Sequence, residues 1–314
     1  MSNQIGLNRD TIDKFYTKKN IASLCIDYVN KNLNISNDSI IIEPSAGNGS
    51  FSNILNKFYK NVISYDIEPD INENNDISII KQDYLEINLS IINNHINTKN
   101  KILNEQIKYN LSSNNQINII NNYKDIHIIG NPPFGRQSSL AKKFIKKSCS
   151  FCSSISFILP KSFKKSTMKK SFPMNFHLLF EIDLPDYSFE IKSQNKLENK
   201  KEYNVPCIFQ IWIKKNIDRI DDNIIDSKYF KFVKKHENPD FSLRRVGVNA
   251  GKIDFDIDKN EQSHYFIKLD DCIDKNNFIN KYKLIQKNII TNNTVGPKSI
   301  NKQEFIKYTN DINI

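Results

Sequence analysis

The stretch Ile126-His127-Ile128-Ile129-Gly130-Asn131-Pro132-Pro133-Phe134-Gly135 places the tightest limit on how this chain can fold. An apolar run of strand type stops at two consecutive prolines. Each proline fixes φ and lacks a backbone N–H, so neither a helix nor a sheet ladder continues through them. Asn131 precedes a proline and is held extended. The chain therefore leaves a strand through a rigid elbow. That elbow carries an amide side chain, carbonyls without local partners and an aromatic ring. It can accept hydrogen bonds from an amino group while Phe134 stacks on the ring bearing that group. A plain Pro-Pro turn with Phe134 in the core is the simpler alternative.

A second pattern lies upstream. Ser39-Ile40-Ile41-Ile42-Glu43-Pro44-Ser45-Ala46-Gly47-Asn48-Gly49-Ser50-Phe51 reads as strand, small-residue turn and helix start. The strand is apolar throughout, as in a central strand covered on both faces. Gly47 and Gly49 let the backbone approach a ligand closely. The spacing differs from the dinucleotide pattern Gly-x-Gly-x-x-Gly, because residue 52 is Ser. Val62-Ile63-Ser64-Tyr65-Asp66-Ile67-Glu68-Pro69 reads as a short strand ending in acid, where a carboxylate can grip ribose hydroxyls. Asp66 is the first choice for that role and Glu68 the second. Ile77–Ile80 precedes Asp83-Tyr84. Further strands are expected at 155–159, 178–184 and 205–213, with helices at 18–30, 50–58 and 138–150. Thr17 is the expected cap of the first helix.

Taken in order, the Glu43–Gly49 turn and Asn131-Pro132-Pro133-Phe134 resemble the S-adenosylmethionine-dependent amino-methyltransferases, in particular the N6-adenine methyltransferases of nucleic acids. The likeness covers roughly residues 10–215. It implies an α/β Rossmann-like methyltransferase fold with a seven-stranded, mostly parallel sheet. It also implies S-adenosyl-L-methionine as cofactor. Phe15, Tyr16 and Thr17 would pack over the methionine end. Glu43, Pro44, Ser45, Ala46, Gly47 and Gly49 would form the cofactor turn, with Glu43 toward the ammonium or cationic region. Asp66 and Ile67 would take the ribose side, and Asp83 and Tyr84 the adenine amino group. Asn131 would serve both cofactor and catalysis, with Pro132, Pro133 and Phe134 completing the catalytic elbow.

Charge narrows the substrate. The formal net charge is +10, and 126–180 contains no Asp or Glu but ten Lys or Arg. A basic segment around the elbow fits a polyanionic partner, DNA or RNA. Arg136, Lys161, Lys164 and Lys165 are its candidate contacts. In the C-terminal third, Arg244 and Arg245 are further candidates, with His264, Tyr265 and Lys298 near them in the pattern. The Glu43–Gly47 form is closer to the DNA enzymes, so DNA is slightly preferred over RNA. Protein-glutamine methylation and an inactive nucleic-acid-binding subunit are the other readings.

The remainder organises around this. Residues 1–215 are expected to form the methyltransferase domain, with one helix and a low-complexity insertion at 90–115 between residues 86 and 124. Residues 192–202 are read as a linker. Residues 216–314 are expected to form a small α+β appendage for accessory or substrate-recognition contacts. The five cysteines do not suggest a disulfide framework. Cys149-Ser150-Phe151-Cys152 is read as two small residues at a helix end, and no metal is expected. The sequence shows no bilayer-length apolar stretch and no signal-peptide core at 1–10, which leads to the expectation of a soluble intracellular protein.

Overall fold

The computed structural model describes residues 15–70, 77–110, 125–191, 202–220, 225–289, 291–294 and 296–312; side chains are described for these except 100–110, 191, 202 and 203. The described residues divide into two compact units. One is drawn from Met1–Leu159 and Ser171–Arg219, the other from Pro160–Lys170 and Ile220–Ile314. The boundary expected at 215/216 thus lies at 219/220, and the second unit also takes a short segment from the middle of the first.

The first unit begins with β1 (Phe15–Thr17) and α1 (Lys19–Asn32), followed by β2 (Ile40–Glu43), α2 (Ser52–Phe58), β3 (Val62–Asp66) and β4 (Ile79–Lys81). It continues through α3 (Leu89–Asn110), β5 (Ile126–Gly130), α4 (Ser139–Cys149) and β6 (Ser154–Pro160). A short α5 (Ser166–Lys169) belongs to the second unit. The first unit ends with β7 (Phe176–Asp183), β8 (Phe189–Ile191), β9 (Glu202–Tyr203) and β10 (Cys207–Lys214).

Seven of these strands form one sheet in the order β4-β3-β2-β5-β6-β10-β7. β2, β3, β4, β5 and β6 pair in parallel, and β10 runs antiparallel to β7. This is the expected seven-stranded, mostly parallel sheet. The strand order reverses beside β2, so β2 and β5 leave the sheet next to each other. Ligands of open α/β sheets bind at such a switch, outside the carboxyl ends of the strands. Ile40 pairs with Ile126 and Ile42 with Ile128, which sets the Glu43 turn level with the Asn131 elbow.

Burial explains the strand sequences. Ile40, Ile41, Ile42, Ile128, Ile129, Ile155, Phe157 and Ile158 are buried, as all-apolar runs covered by helices on both faces must be. α1 packs Ile21, Ala22, Cys25, Ile26 and Val29 into the same core, at helical spacing. At the antiparallel edge, Trp212 stacks on Phe172 with centroids 4.0 Å apart, and Arg219 lies over its ring.

Several expectations change. The one helix expected between the third strand and the elbow strand is present, as Leu89–Asn110, but it occupies most of the span read as an insertion at 90–115; residues 111–115 lie outside the described residues. Its start is turned by Asn88, whose Oδ1 accepts from Ile91 N at 2.9 Å. Thr17 does not cap α1. Lys18 holds the cap position, and no side chain caps it. Thr17 instead lies in β1, which pairs antiparallel with β8, and β8 with β9. This small second sheet is not among the strands expected from the sequence. Most of the expected linker, 192–201, lies outside the described residues.

The second unit contains β11 (Phe230–Val233), β12 (Phe241–Arg244), β13 (Ile253–Asp254) and β14 (His264–Leu269), with α6 (Lys275–Ile285) and α7 (Lys302–Asn310). The four strands form an antiparallel sheet in the order β11-β14-β12-β13. Phe230, Phe241, Leu243, Ile267 and Leu269 pack with Phe278, Tyr282 and Phe305 of the helices in a core of its own. Asp274 caps α6, and Asn301 with Glu304 forms a reciprocal capping box on α7. No helix of the described residues is long and apolar enough to cross a membrane.

Candidate active site

The site lies wholly within the first unit, where β2, β3 and β5 end. Three hydrogen bonds join segments far apart in sequence. Ser45 Oγ donates to the Asn131 carbonyl at 2.8 Å. Gly47 N donates to Asp66 Oδ2 at 2.7 Å. Asn131 Nδ2 donates to Thr17 Oγ1 at 3.1 Å. The glycine turn, the acidic strand end, the elbow and β1 are thereby tied into one constellation.

Gly47 has φ +54°, a left-handed conformation costly for residues with a Cβ. A Cβ here would also stand 3.0 Å from Tyr16 Cε1, so the Tyr16 ring lies directly on the turn. Burial raises the Tyr16 phenol pKa above its ordinary value, and Asp70 raises it further by its charge and a hydrogen bond. Asp66 and Glu68 add to the same field. Three carboxylates thus gather at the mouth of the glycine turn and favour a positively charged group there. Asp70 also donates its backbone N–H to the Gly47 carbonyl at 2.9 Å. Sequence reading missed Asp70, although the alternation Asp66, Glu68, Asp70 was its visible signal.

Asp66 caps the end of β3 in addition to bracing Gly47, since Oδ1 accepts from Glu68 N at 2.8 Å. Each carboxylate oxygen retains further acceptor capacity. Ile67 beside it is 64% exposed, an apolar surface next to the acid.

Glu43 departs from expectation. It is 1% exposed, and Ser52 Oγ hydrogen-bonds its Oε2 and also reaches Ser64 Oγ at 2.6 Å. Burial pushes its carboxyl up to about 8, against a smaller opposing effect of Ser52. Burial thus favours the neutral carboxyl, which braces the turn from beneath and is not open to a cation.

Tyr84 is also reassigned. It is 1% exposed, stacks on Phe144 at 5.3 Å, and its hydroxyl lies 2.8 Å from Ser148 Oγ. It belongs to the core and offers no face to a ligand. Asp83 is half-buried and caps the short turn Tyr84–Glu86 by accepting from Leu85 N at 2.9 Å.

The elbow is built to be stiff. Pro132 is buried, while Asn131, Pro133 and Phe134 are half-buried, with Phe134 packed against the main core. The Phe134 carbonyl accepts from Leu140 N at 3.1 Å and Ala141 N at 3.3 Å, which ties the elbow to α4. Gly135 has φ +67°, and a Cβ on it would come within 2.8 Å of Leu140 Cγ. Gln137 and Ser138 also have positive φ, at 52° and 60°. Left-handed backbone at non-glycine residues is costly and persists only where its surroundings enforce it.

The Asn131 amide is the central feature. Its Nδ2 is committed to Thr17, while its Oδ1 is buried and has no hydrogen-bond partner. A buried amide oxygen left unpaired costs about 1–3 kcal/mol. Among the described residues the Pro132 carbonyl likewise has no donor. A buried, unpaired amide oxygen and a carbonyl without a protein donor therefore adjoin at the carboxyl end of β5.

The basic candidates are divided between the two units. Arg136 is exposed beside the elbow. Lys161, Lys164 and Lys165 fall in the second unit. Lys165 is committed there, with Nζ 3.0 Å from Ser299 Oγ and 3.4 Å from Glu304 Oε2, and its side chain is 10% exposed. It fastens that unit and is withdrawn as a phosphate contact. Arg244 Nε donates to the Val246 carbonyl at 2.8 Å, and the Arg245 guanidinium lies over the Tyr265 ring at 5.0 Å. Among the described residues no group of His, Cys, Asp and Glu could hold a metal, and Cys149 and Cys152 are buried free thiols.

No family model matches this sequence, and no curated protein matches it. Solved structures similar in fold include a Pyrococcus horikoshii protein assigned as an RNA methyltransferase (14% identity, 68% of this chain, 93% of that chain, TM-score 0.41). The 23S rRNA methyltransferase ErmE is another (11% identity, 66% of this chain, 71% of that chain, TM-score 0.36). A third is an S-adenosylmethionine-dependent methyltransferase from Anabaena variabilis (14% identity, 66% of this chain, 89% of that chain, TM-score 0.35). The seven-stranded sheet, its strand order and its antiparallel β10 give the chain a Rossmann-like fold of the methyltransferase type.

Proposed function

We propose that this chain transfers a methyl group from S-adenosyl-L-methionine to the exocyclic N6 amine of an adenine in nucleic acid. The observation that carries the reading is the Asn131 amide, turned by Thr17 so that a buried Oδ1 lacks a donor. An aromatic amine with two hydrogens would satisfy both Oδ1 and the Pro132 carbonyl.

The residues present suit the cofactor. Gly47 and Gly49 would leave room for its backbone approach, Asp66 would accept from its ribose, and Asp83 from its adenine amine. Tyr16 would lie over its methionine end, among carboxylates that favour its positive charge. When bound, the cofactor supplies an electrophilic methyl group on a sulfonium.

The chain's own task is then to prepare the amine. The N6 lone pair is delocalised into the ring. Acceptance of both hydrogens by Asn131 Oδ1 and Pro132 O draws electron density back to nitrogen and favours tetrahedral geometry. Fixed acceptors aimed at charge that develops during transfer are the most effective kind, since they need no reorganisation. Transfer leaves the positive charge on the methylated nitrogen, and its surplus proton, hydrogen-bonded to one of these oxygens, passes to water. Phe134 stacks on the adenine, which must be unpaired or rotated out of a duplex to reach the elbow. Arg136 accompanies it as a phosphate contact, with Lys161 and Lys164 as further basic candidates.

The test is transfer of labelled methyl from S-adenosylmethionine to DNA, RNA and protein, with products digested to nucleosides and amino acids. N6-methyladenine in wild type, and its loss in Asn131→Ala with cofactor affinity changed no more than a few-fold, is the expected result. Methyl-glutamine, or full activity of the variant, would overturn it.

A further inference from the structure

The second unit carries a cleft of about 160 Å³, lined by Phe232, Lys234, Lys235, Glu261, Tyr265 and Lys302 among others. Phe232 and Tyr265 meet edge to face, with centroids 5.5 Å apart. Lys302 Nζ lies 4.8 Å from the Phe232 ring and 5.7 Å from that of Tyr265, while Arg245 covers Tyr265. Both rings are half-buried, so part of each is open to an incoming group.

The charges around the rings are only partly spent. Lys235 pairs with Asp258 at the surface. Lys234 and Lys302 are exposed, and neither they nor Arg245 have a carboxylate within ion-pair distance among the described residues. Unpaired cations over aromatic faces would be served by a ligand that is itself flat and joined to anions. A nucleotide has that form. Its base stacks on any aromatic face, and its phosphate takes the lysines. The size of the cleft suits one base. An acidic peptide would use the cations but leave the rings unused.

We infer that this cleft is an anchor for one unpaired nucleotide of the substrate strand, with the base against Tyr265 and Phe232 and the flanking phosphates on Lys234, Lys302 and Arg245. Glu261 at the rim is placed to accept from a base amine. The inference rests on the proposed nucleic-acid substrate and adds a second point of attachment, outside the methyl-transfer elbow.

The test uses the full chain and fluorescein-labelled single-stranded 12-nucleotide DNA and RNA, followed by anisotropy across a salt series. Wild type, Tyr265→Ala, Tyr265→Phe and the surface double variant Lys234→Ala with Lys302→Ala are compared, each checked for unchanged melting. Loss of the Tyr265 ring should weaken binding by about 5- to 100-fold, as one stacked base does, whereas Tyr265→Phe should bind like wild type. The double variant should lower the slope of log K against log salt by roughly one to two. Oligonucleotides bearing iodouracil should crosslink to the peptide containing Tyr265 or Phe232. Polyglutamate should not displace them.

Wild-type affinity in folded Tyr265→Ala and in the double variant, with crosslinks elsewhere, would overturn the anchor and leave the methyl-transfer reading intact. Displacement by polyglutamate at comparable charge would assign the cleft to acidic chains. Failure of the wild-type chain to bind either nucleic acid would overturn both readings.

Discussion

Asn131 Nδ2 donates to Thr17 Oγ1 across 3.1 Å, and this bond decides which edge of the amide is presented at the elbow. Without the threonine hydroxyl the amide can turn its NH₂ where an acceptor is required. Thr17→Val should lower the rate of methyl transfer in single-turnover measurements by about 2- to 10-fold, the value of one such hydrogen bond. Thr17→Ser should retain most of the rate. Equal rates in the two variants would dismiss the orienting role.

Asp66 should act on binding and not on the transfer step. Asp66→Ala removes a charged acceptor and the support of Gly47 N. Hydrogen bonds to charged groups contribute about 1.5–3 kcal/mol, so calorimetry should show a Kd for S-adenosylmethionine roughly 10- to 150-fold weaker. An unchanged Kd would remove Asp66 from the ribose assignment.

Gly135→Ala tests the stiffness of the elbow. The new Cβ would meet Leu140 Cγ at 2.8 Å on a backbone with φ +67°. The expected destabilisation is about 1–3 kcal/mol, visible as a lower Tm in differential scanning calorimetry. Because the strain falls between Phe134 and α4, methyl transfer should decline even at temperatures where the variant is folded.

Glu43 predicts a dependence of stability on pH. Its folded value, about 8, lies above its ordinary value of 4.5. The folded state therefore holds a proton that the unfolded chain has released. The stabilisation from this group is complete below about pH 4.5 and is lost as pH rises through about 8. Glu43→Gln, which stays neutral, should flatten this part of the profile and melt at a higher temperature than wild type at pH 9, provided that it keeps the Ser52 contact. Parallel profiles in thermal melts between pH 5 and 9 would contradict the assignment.

Much of the framework was legible because its signals are local. Ile40–Ile42, Val62–Asp66 and Ile126–Gly130 are apolar runs ended by acid, glycine or proline, and each became a strand. What was not legible depends on distant partners. A helix was expected in this part of the chain, but Leu89–Asn110 lies in an Asn-rich background, so how far it extends was hard to distinguish from low complexity. Tyr84 and Lys165 sit beside motif residues in sequence, but their partners Ser148 and Ser299 could not be foreseen. The β1–β8 pairing joins segments with no local signature of each other. Without it, the reason for Thr17 could not be read, only its position before a helix.

That pairing has a consequence for how the protein becomes active. Thr17 pairs with Phe189, beyond seven of the first unit's strands in chain order, counting β1 itself. Closing so long a loop carries an entropic cost that only a largely formed sheet can offset. The glycine turn and its acids can form early from neighbouring segments. The orientation of the Asn131 amide must wait until β8 has arrived. On a ribosome, the chain would form its glycine turn well before Thr17 could fix the edge of Asn131, so under the proposed function competence for methyl transfer would be among the last properties it gains.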